Sequence, residues 1–278
     1  MDFSYTEEQQ MLQESVLKFV QNQYDFATRN EIITSDDGYS KEYWSLFAEL
    51  GWLTVPFNEA DGGFGGCAVD MVVMMEEFGK AMLVEPFAGT AILAGRLISD
   101  LAEGEARTAL IKQIMEGSLQ ISLAYAESGS RFNAASVRTT AKVDGENVII
   151  SGTKVAVLSG SATDKLLVVA RESGKDTDRS GISVFLVDAD ADGVTLHSYA
   201  NVDGKSASEI TLSNVTVPSS ARVGAAGTAI DALEAAIDRA TLASAAEALG
   251  AMESLLTKTV EYSKTRKQFG TAIGTFQA

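Results

Sequence analysis

The sequence predicts an α+β protein in which an N-terminal helical domain, a central β domain and the start of a C-terminal helical bundle follow one another. Three successive sequence patterns support this prediction. Apolar residues first recur with a helical period, then short runs of β-branched residues follow, and the last part of the chain shows an alanine-rich helical pattern. The 278 residues also exceed what one small module needs. We expect domains at residues 1–117, 118–225 and 226–278, the last of them incomplete.

The first domain begins with a helix-start signal. Thr6 and Gln9 have capping-box spacing, so that each side chain can bond a backbone amide of the first turn. A second helical pattern ends at Gly51, a natural C-terminal stop because glycine tolerates the left-handed conformation there. Further helical patterns cover residues 70–82, 91–102 and 106–115.

The second domain changes to strand-like patterns. Residues 136–143 and 147–151 are rich in β-branched side chains and flank Asp144-Gly145-Glu146, which is a hairpin signal. No helical pattern falls between the strand-length runs, so parallel βαβ units are disfavoured and an antiparallel sandwich or barrel is favoured. The remaining runs lie at residues 166–170, 182–187, 194–199 and 209–217.

The third domain opens near Gly227 and is helical again. The small residues 243–246 allow neighbouring helices to approach closely, as in a bundle core. The chain stops at Ala278, soon after one helix and a turn. Because an unpartnered helix would leave its apolar face in water, we expect either further sequence after Ala278 or packing from another chain.

Charge and composition exclude several classes of function. Lys and Arg total 22 against 38 Asp and Glu, a net charge of −16 that disfavours nucleic-acid binding. The chain has one cysteine, Cys67, and one histidine, His197, so no internal disulfide and no Cys/His metal site is expected. The acidic N-terminus is unlike a secretory signal, and no run approaches the roughly 18 apolar residues that span a bilayer. We therefore expect a soluble cytoplasmic protein without a membrane partner.

Two segments concentrate polar chemistry. In residues 119–132 a strand runs into a polar loop beside a flat apolar surface, and its hydrogen-bonding residues are Tyr125, Glu127, Ser128, Ser130 and Arg131. In residues 262–270, three cations fall within four positions of an acidic chain and would suit a phosphate or pyrophosphate. The alternative is a helix C-terminus whose basic residues complement the helix dipole, and composition alone leaves both interpretations open.

The order of the three domains and a series of short motifs between residues 50 and 277 resemble the acyl-CoA dehydrogenases over nearly the whole chain. The most specific motif is Arg266-Lys267-Gln268-Phe269-Gly270 followed by Gln277, which matches the family's Arg-x-x-Phe-Gly…Gln. The looser motifs are Leu50-Gly51-Trp52-Leu53 through Gly65, Glu76-Glu77-Phe78-Gly79-Lys80, Ala124-Tyr125-Ala126-Glu127, and Gly152-Thr153-Lys154 to Gly160 and Asp164.

The resemblance implies an FAD-dependent oxidoreductase that desaturates an acyl-CoA thioester between Cα and Cβ. It also implies an electron-accepting flavoprotein as partner and a homo- or hetero-oligomer, a dimer or a tetramer, in which Arg266 and Gln277 touch the FAD of a neighbouring subunit. The cofactor-binding residues that it implies are Tyr125, Ala126, Ser130, Leu158, Ser159, Arg266, Phe269 and Gln277.

Several positions depart from the family pattern, among them Arg131 in the first flavin segment and Thr241, where the resemblance implies an arginine that contacts substrate. Ser128 replaces the proline of the first flavin segment, Ala156 replaces the aromatic residue that commonly stacks on the flavin, and Leu158 replaces the threonine that bonds the ring. Ala240 stands where some members carry the catalytic glutamate. This divergence is similar to that of the smaller partner chains of heteromeric acyl-CoA dehydrogenases.

The catalytic base is therefore not identified from the sequence. Asp238 and Glu234 are the nearest acids on the relevant helix, and neither matches a base position of the family. Two alternatives stay open beside the dehydrogenase, namely a non-catalytic partner subunit and a flavin oxidase on the same scaffold.

Overall fold

The structure is a computed structural model that describes residues 4–276. The helices are α1 Glu7–Gln23, α2 Phe26–Ile33, α3 Lys41–Glu49, α4 Ala68–Ala81, a π-helix Ala88–Gly95, α5 Arg96–Leu101, α6 Gly104–Met115 and α7 Ile230–Thr265. The strands are β1 Ile121–Ala124, β2 Thr140–Asp144, β3 Asn147–Leu158, β4 Lys165–Arg171, β5 Ile182–Asp188, β6 Val194–Ala200, β7 Ser206–Pro218, β8 Arg222–Val223, β9 Lys267–Gln268 and β10 Thr271–Ala272.

The chain divides into two compact units. The first draws on the described residues of Met1–Asn30, Ala68–Leu83 and Leu242–Ala278, and the second on Glu31–Cys67 and Val84–Thr241. Each unit combines stretches that are distant in sequence, so the linear domain boundaries remain a prediction. Within residues 4–276, every helix is too short or too polar to cross a lipid bilayer.

In the first unit, α1 starts as the sequence predicts. Thr6 Oγ1 accepts from the Gln9 backbone amide at 3.2 Å, and Gln9 Oε1 accepts from the Thr6 amide at 3.1 Å, which completes the capping box. The helix packs on α4 through a face that buries Val16 and Phe19. The predicted helix start is thus confirmed.

In the first unit, α4 and the part of α7 that follows Thr241 meet backbone to backbone. A Cβ at Gly250 would lie 1.8 Å from the Glu76 carbonyl oxygen, and one at Gly79 would lie 1.9 Å from that of Glu247. No side chain fits at either position without a displacement of the helices. Lys80 Nζ braces the crossing, at 3.0 Å from Glu77 Oε1 and 3.0 Å from Glu253 Oε2.

The second unit is built on one mixed sheet with the strand order β6-β7-β3-β2-β4-β5-β8. Most pairs are antiparallel, as the sequence predicts, but β1 joins β4 in parallel over Ile121–Ala124. All four residues of β1 are buried, the continuous burial that is typical of a parallel strand. This parallel pair was not expected, because a strand of four residues does not specify its neighbour in the sheet.

The sheet curves so that it buries a core of its own. Val168 of β4 and Leu212 of β7 share one apolar cluster, although two strands lie between them in the sheet order. The opposite face of β4 presents Leu167 and Val169 to a second cluster, which includes Phe57 and Leu233 from the helical segments of the unit. The expected α+β fold with a central sheet domain is confirmed, and the described strands of the sheet include two parallel pairings, β1 with β4 and β2 with β4 at Thr140 and Arg171.

Two predicted elements differ in detail from the structure. The helical pattern at 91–102 is divided between the π-helix Ala88–Gly95 and α5, because the widened turns shift the helical period. The strand predicted at 136–143 begins only at Thr140, since the amides of Arg138 and Thr139 donate to the Glu127 carboxylate instead of a ladder partner.

Candidate functional site

Two of the predicted cofactor segments lie side by side in the second unit. The end of β1 and the middle of β3 are joined by a hydrogen bond from the Val155 amide to the Ala126 carbonyl oxygen at 2.9 Å. Lys154 Nζ donates to the Tyr125 carbonyl oxygen at 3.2 Å. The structure therefore brings Tyr125 and Ala126 next to the segment that carries Leu158 and Ser159.

Strand β3 bulges at this point. Its register with β7 shifts between Lys154 and Val157, and Ala156 within the shift has a left-handed φ of 52°. A bulge bends its strand and re-aims the side chains that follow, while a left-handed non-glycine residue costs free energy. The side chain of Ala156 is a methyl group, so it offers no aromatic face there for a ring to stack on.

Past the bulge, Leu158 and Ser159 form a partly exposed edge. Leu158 is 41% exposed, and Ser159 has a left-handed φ of 57° with its amide donated to the Ser206 carbonyl oxygen. Gly89 of the π-helix lies close by, because a Cβ there would stand 3.5 Å from Ser159 Oγ and 3.7 Å from Leu158 Cβ. The π-helix therefore borders this edge, and π-helical turns frequently occur at functional sites. Sequence reasoning missed it, because an apolar run gives no π-helical signal.

A tight turn follows β1. The Ser130 amide donates to the Glu127 carbonyl oxygen at 3.1 Å, and Gly129 supplies the positive φ of 86° that such a turn requires. Ser130 Oγ also donates to the Glu127 carbonyl oxygen, at 2.8 Å. The predicted binding residue Ser130 thus lies in the turn, with its hydroxyl proton already donated. Arg131 follows, exposed and with a left-handed φ of 52°.

A buried ion pair lies beneath this turn. Lys154 is fully buried, and its ammonium lies 2.7 Å from Oε1 of Glu127, a residue that is 8% exposed. The Glu127 carboxylate also accepts from the Arg138 amide at 2.8 Å and from the Thr139 amide and hydroxyl at 3.0 and 2.7 Å. The sequence analysis placed both charges in flavin segments without pairing them, although a lysine within an apolar strand was an available signal.

Burial and mutual attraction oppose each other in this pair. Burial lowers the pKa of Lys154 to about 8, and the neighbouring Glu127 charge limits the fall. Burial acts to raise the pKa of Glu127, but the Lys154 charge and the hydrogen bonds from Lys154 and Thr139 outweigh it and hold that pKa below its ordinary value. At neutral pH both groups are therefore charged.

In the first unit, the predicted motif at Arg266 forms a hairpin directly after α7. Strands β9 and β10 pair antiparallel across Phe269 and Gly270, whose positive φ values of 54° and 86° make a type I′ turn. The Ile273 amide donates to the Arg266 carbonyl oxygen at 2.9 Å and closes the hairpin onto the helix end. The predicted turn is present, while Gln277 lies outside the described residues.

The Arg266 side chain is an exposed cation. Its guanidinium makes no hydrogen bond or ion pair with any residue from 4 to 276, and Lys267 beside it is likewise unpaired over that range. Lys264 pairs with Glu261 at 3.2 Å. Phe269 is 96% exposed at the tip, with its ring edge against Phe276. This donor set suits a diphosphate next to a flat apolar group.

The acids near the family's alternative base position are not suited to take a proton. Glu234 accepts two hydrogen bonds from Arg179 at 2.7 Å each, which lower the pKa of its carboxyl, whereas a general base needs a raised one. Asp238 is exposed to solvent. Ala240 packs against the helical core of the second unit and carries no titratable group.

Family models match almost the entire chain. The acyl-CoA dehydrogenase N-terminal domain matches residues 6–118, the middle domain residues 122–215 and the C-terminal domain residues 222–278. The "Acyl-CoA dehydrogenase fadE12" of Mycobacterium tuberculosis (strain CDC 1551 / Oshkosh) is 30% identical over 99% of this chain and 71% of its own length.

Solved structures agree with these matches. The ChsE4-ChsE5 complex from Mycobacterium tuberculosis is similar at 26% identity and a TM-score of 0.87, over 100% of this chain and 72% of that one. Butyryl-CoA dehydrogenase from Megasphaera elsdenii gives a TM-score of 0.87 at 25% identity, over 100% of this chain and 74% of that one. The chain therefore belongs to the acyl-CoA dehydrogenase family.

Proposed function

We propose that this chain acts as an FAD-dependent acyl-CoA dehydrogenase, or as one chain of such an enzyme, and desaturates an acyl-CoA thioester between Cα and Cβ. Beside family membership, one observation carries the proposal. The Val155 amide bonds the Ala126 carbonyl oxygen and so joins the two segments that the family uses for its flavin.

The residues present fit FAD. The second unit offers small side chains, Ala126 and Ala156, where a flat ring must approach backbone, together with the exposed Leu158. The first unit offers Arg266, whose paired donors match a diphosphate. When bound, FAD supplies the acceptor for the hydride that leaves Cβ. The residues that would hold it are Tyr125, Ala126, Ser130, Leu158, Ser159, Arg266, Phe269 and Gln277.

The tasks of the chain's own residues follow from their positions. Arg266 neutralises the diphosphate of a cofactor that the net charge of −16 would otherwise repel. The turn at 127–130 and the bulge at Ala156 set the shape of the surface against which the ring lies. Leu158 gives that surface an apolar edge, but it offers no hydroxyl to the ring.

The Cα proton needs an acceptor that these residues do not supply. Glu234 is held charged by Arg179, and Ala240 has no oxygen. A carboxylate from outside residues 4–276, in this chain or in a neighbouring one, would complete the reaction. We accordingly extend the proposal to an oligomer with a shared flavin site. The family resemblance further leads us to propose an electron-accepting flavoprotein as partner, and we also propose a cytoplasmic location.

A second candidate is a partner subunit that holds flavin without reacting. Ala240 and Leu158 favour it, since each removes a group that the family chemistry uses. The names of the relatives favour the dehydrogenase.

Flavin content and anaerobic titration of the purified chain test the proposal. We expect bound FAD whose oxidised absorbance bleaches when acyl-CoA is added. Bound FAD that bleaches only after a second chain is supplied would support the partner subunit, and peroxide release in air would support an oxidase. A chain that retains no FAD on its own or with a partner would contradict the proposed function.

A further inference from the structure

We propose that the buried pair of Glu127 and Lys154 is a positioning device that locks the polar turn 127–130 to β3 and so sets the spacing between the two flavin-facing segments. The inference deepens the proposed function and rests on it only for the identity of the ligand. Neither residue faces the ligand in this account. Both act through the backbone that they hold.

Lys154 joins two parts of the same segment. Its ammonium donates to the Tyr125 carbonyl oxygen at 3.2 Å and to Glu127 Oε1 at 2.7 Å. One cation thus fixes a backbone atom and a side chain two residues apart, at the place where β1 gives way to the turn. The next residue, Val155, adds the amide bond to Ala126 and completes three links between the segments.

Glu127 extends the lock to a third segment. Its carboxylate accepts the amides of Arg138 and Thr139 and the Thr139 hydroxyl, all within 3.0 Å. With Lys154, the two oxygens receive four donors from two different stretches of chain. Because four donors bind the carboxylate, its orientation is fixed. Glu127 belongs to the turn 127–130, so the position of the turn is fixed with it.

A glycine makes room for this arrangement. A Cβ at Gly152 would lie 2.4 Å from Thr139 Oγ1 and 2.7 Å from Thr139 Cα, so only glycine lets Thr139 approach β3 closely enough to reach Glu127. Strand β3 thus carries Lys154 and, two residues earlier, a glycine that leaves the space in which Thr139 reaches the Glu127 carboxylate.

A contribution to the stability of the fold does not explain why two charges are buried here. Taking two charges out of water is costly, and replacing a buried pair by apolar groups is often neutral or stabilising. A pair that sits between two cofactor segments and bonds the backbone of one of them serves position instead. The Glu172–Arg222 pair is the matched contrast, because it lies in the same unit and is largely buried, but it contacts neither segment.

The test compares four variants of the full chain: Glu127→Gln, Lys154→Met, the double variant, and Glu172→Gln as control. FAD affinity is measured by titration, and the backbone by trypsin cleavage after the exposed Arg131 in protein without added FAD. We expect each pair variant to lose at least about tenfold in FAD affinity, because a displaced turn would cost the bound ligand about one hydrogen bond. We also expect faster cleavage after Arg131, whereas Glu172→Gln changes neither measurement.

The double variant separates position from stability. It buries no unpaired charge and should keep the circular dichroism spectrum and melting temperature of the parent, yet it should still bind FAD weakly and be cleaved faster. The inference is overturned if the double variant matches the parent in both measurements, or if Glu172→Gln shows the same losses. If the parent binds no FAD either on its own or with a partner chain, the proposed function fails, while the cleavage comparison still decides whether the pair holds the turn.

Discussion

Arg179 holds the Glu234 carboxylate by two hydrogen bonds, each 2.7 Å long. The two residues belong to different parts of the second unit, the loop before β5 and the first half of α7, and both are exposed. Because Arg179 holds its carboxylate charged, Glu234 is not suited to act as the base, although it is one of the two acids nearest to the family's alternative base position. The other acid is Asp238, which is open to water rather than placed in a dry pocket.

The first prediction follows from that pairing. Glu234→Gln should leave the rate of flavin bleaching by acyl-CoA unchanged, because the carboxylate is charged and already bound to Arg179. Stability should change little, since exposed ion pairs contribute little. Stopped-flow reduction of the purified variant checks this. A large loss of rate with an unchanged FAD content would instead identify Glu234 as the base.

Arg266 carries the second prediction. Arg266→Ala should weaken FAD retention by about 1.5–3 kcal/mol, the range for a hydrogen bond to a charged group. Arg266→Lys should restore only part of it, because an ammonium cannot make the paired contact. The measurement is FAD titration. Lys258→Ala removes an exposed cation on α7, about two turns before Arg266, and is the matched control that should bind FAD like the parent. If Arg266→Ala also binds FAD like the parent, Arg266 does not belong to the site.

The crossing of α4 and α7 gives the third prediction. Gly250→Ala should destabilise the protein by about 1–3 kcal/mol or more, because the added methyl group would overlap the Glu76 carbonyl group and force the helices apart. Urea denaturation measures the loss. Ser244→Ala, an exposed change on the same helix, should stay within about 0.5 kcal/mol. A Gly250→Ala variant as stable as this control would mean that the helices are not in backbone contact.

Lys154 gives a pH prediction. Its pKa of about 8 in the folded chain lies below the 10.5 of a free lysine, and Glu127 is the charged group that acts on it. Between about pH 8 and 10.5 the unfolded chain binds more protons at this lysine than the native chain does. The contribution of Lys154 to the free energy of unfolding therefore increases as the pH rises through this range. The free energy of unfolding of the parent minus that of Lys154→Met should therefore climb from about pH 8, by at most about 1.4 kcal/mol per unit. A flat difference would show that Lys154 keeps its proton.

Local signals predicted local structure well. The capping box of Thr6 and Gln9 depends on residues three apart, and the hairpin at Asp144-Gly145-Glu146 on one tight turn, so both could be inferred from spacing alone. The parallel pair of β1 and β4 depends on partners 44 residues apart, which no short pattern specifies.

The candidate site was predicted only as segments. Family motifs pointed to Tyr125, Leu158 and Arg266, but the Glu127–Lys154 bond joins charges that lie 27 residues apart. In the sequence each of these charges looks like an isolated polar residue. Their pairing becomes visible only when the β2–β3 hairpin folds back beside β1.

The backbone contact between α4 and α7 also bears on synthesis of the chain. Gly79 leaves the ribosome 171 residues before Gly250 (250 − 79 = 171). At about 5–20 residues per second, the glycine face of α4 waits on the order of 10–30 s for the helix that covers it. The first unit thus cannot be completed by an N-terminal fragment, and a nascent chain stalled before α7 would present that face to chaperones.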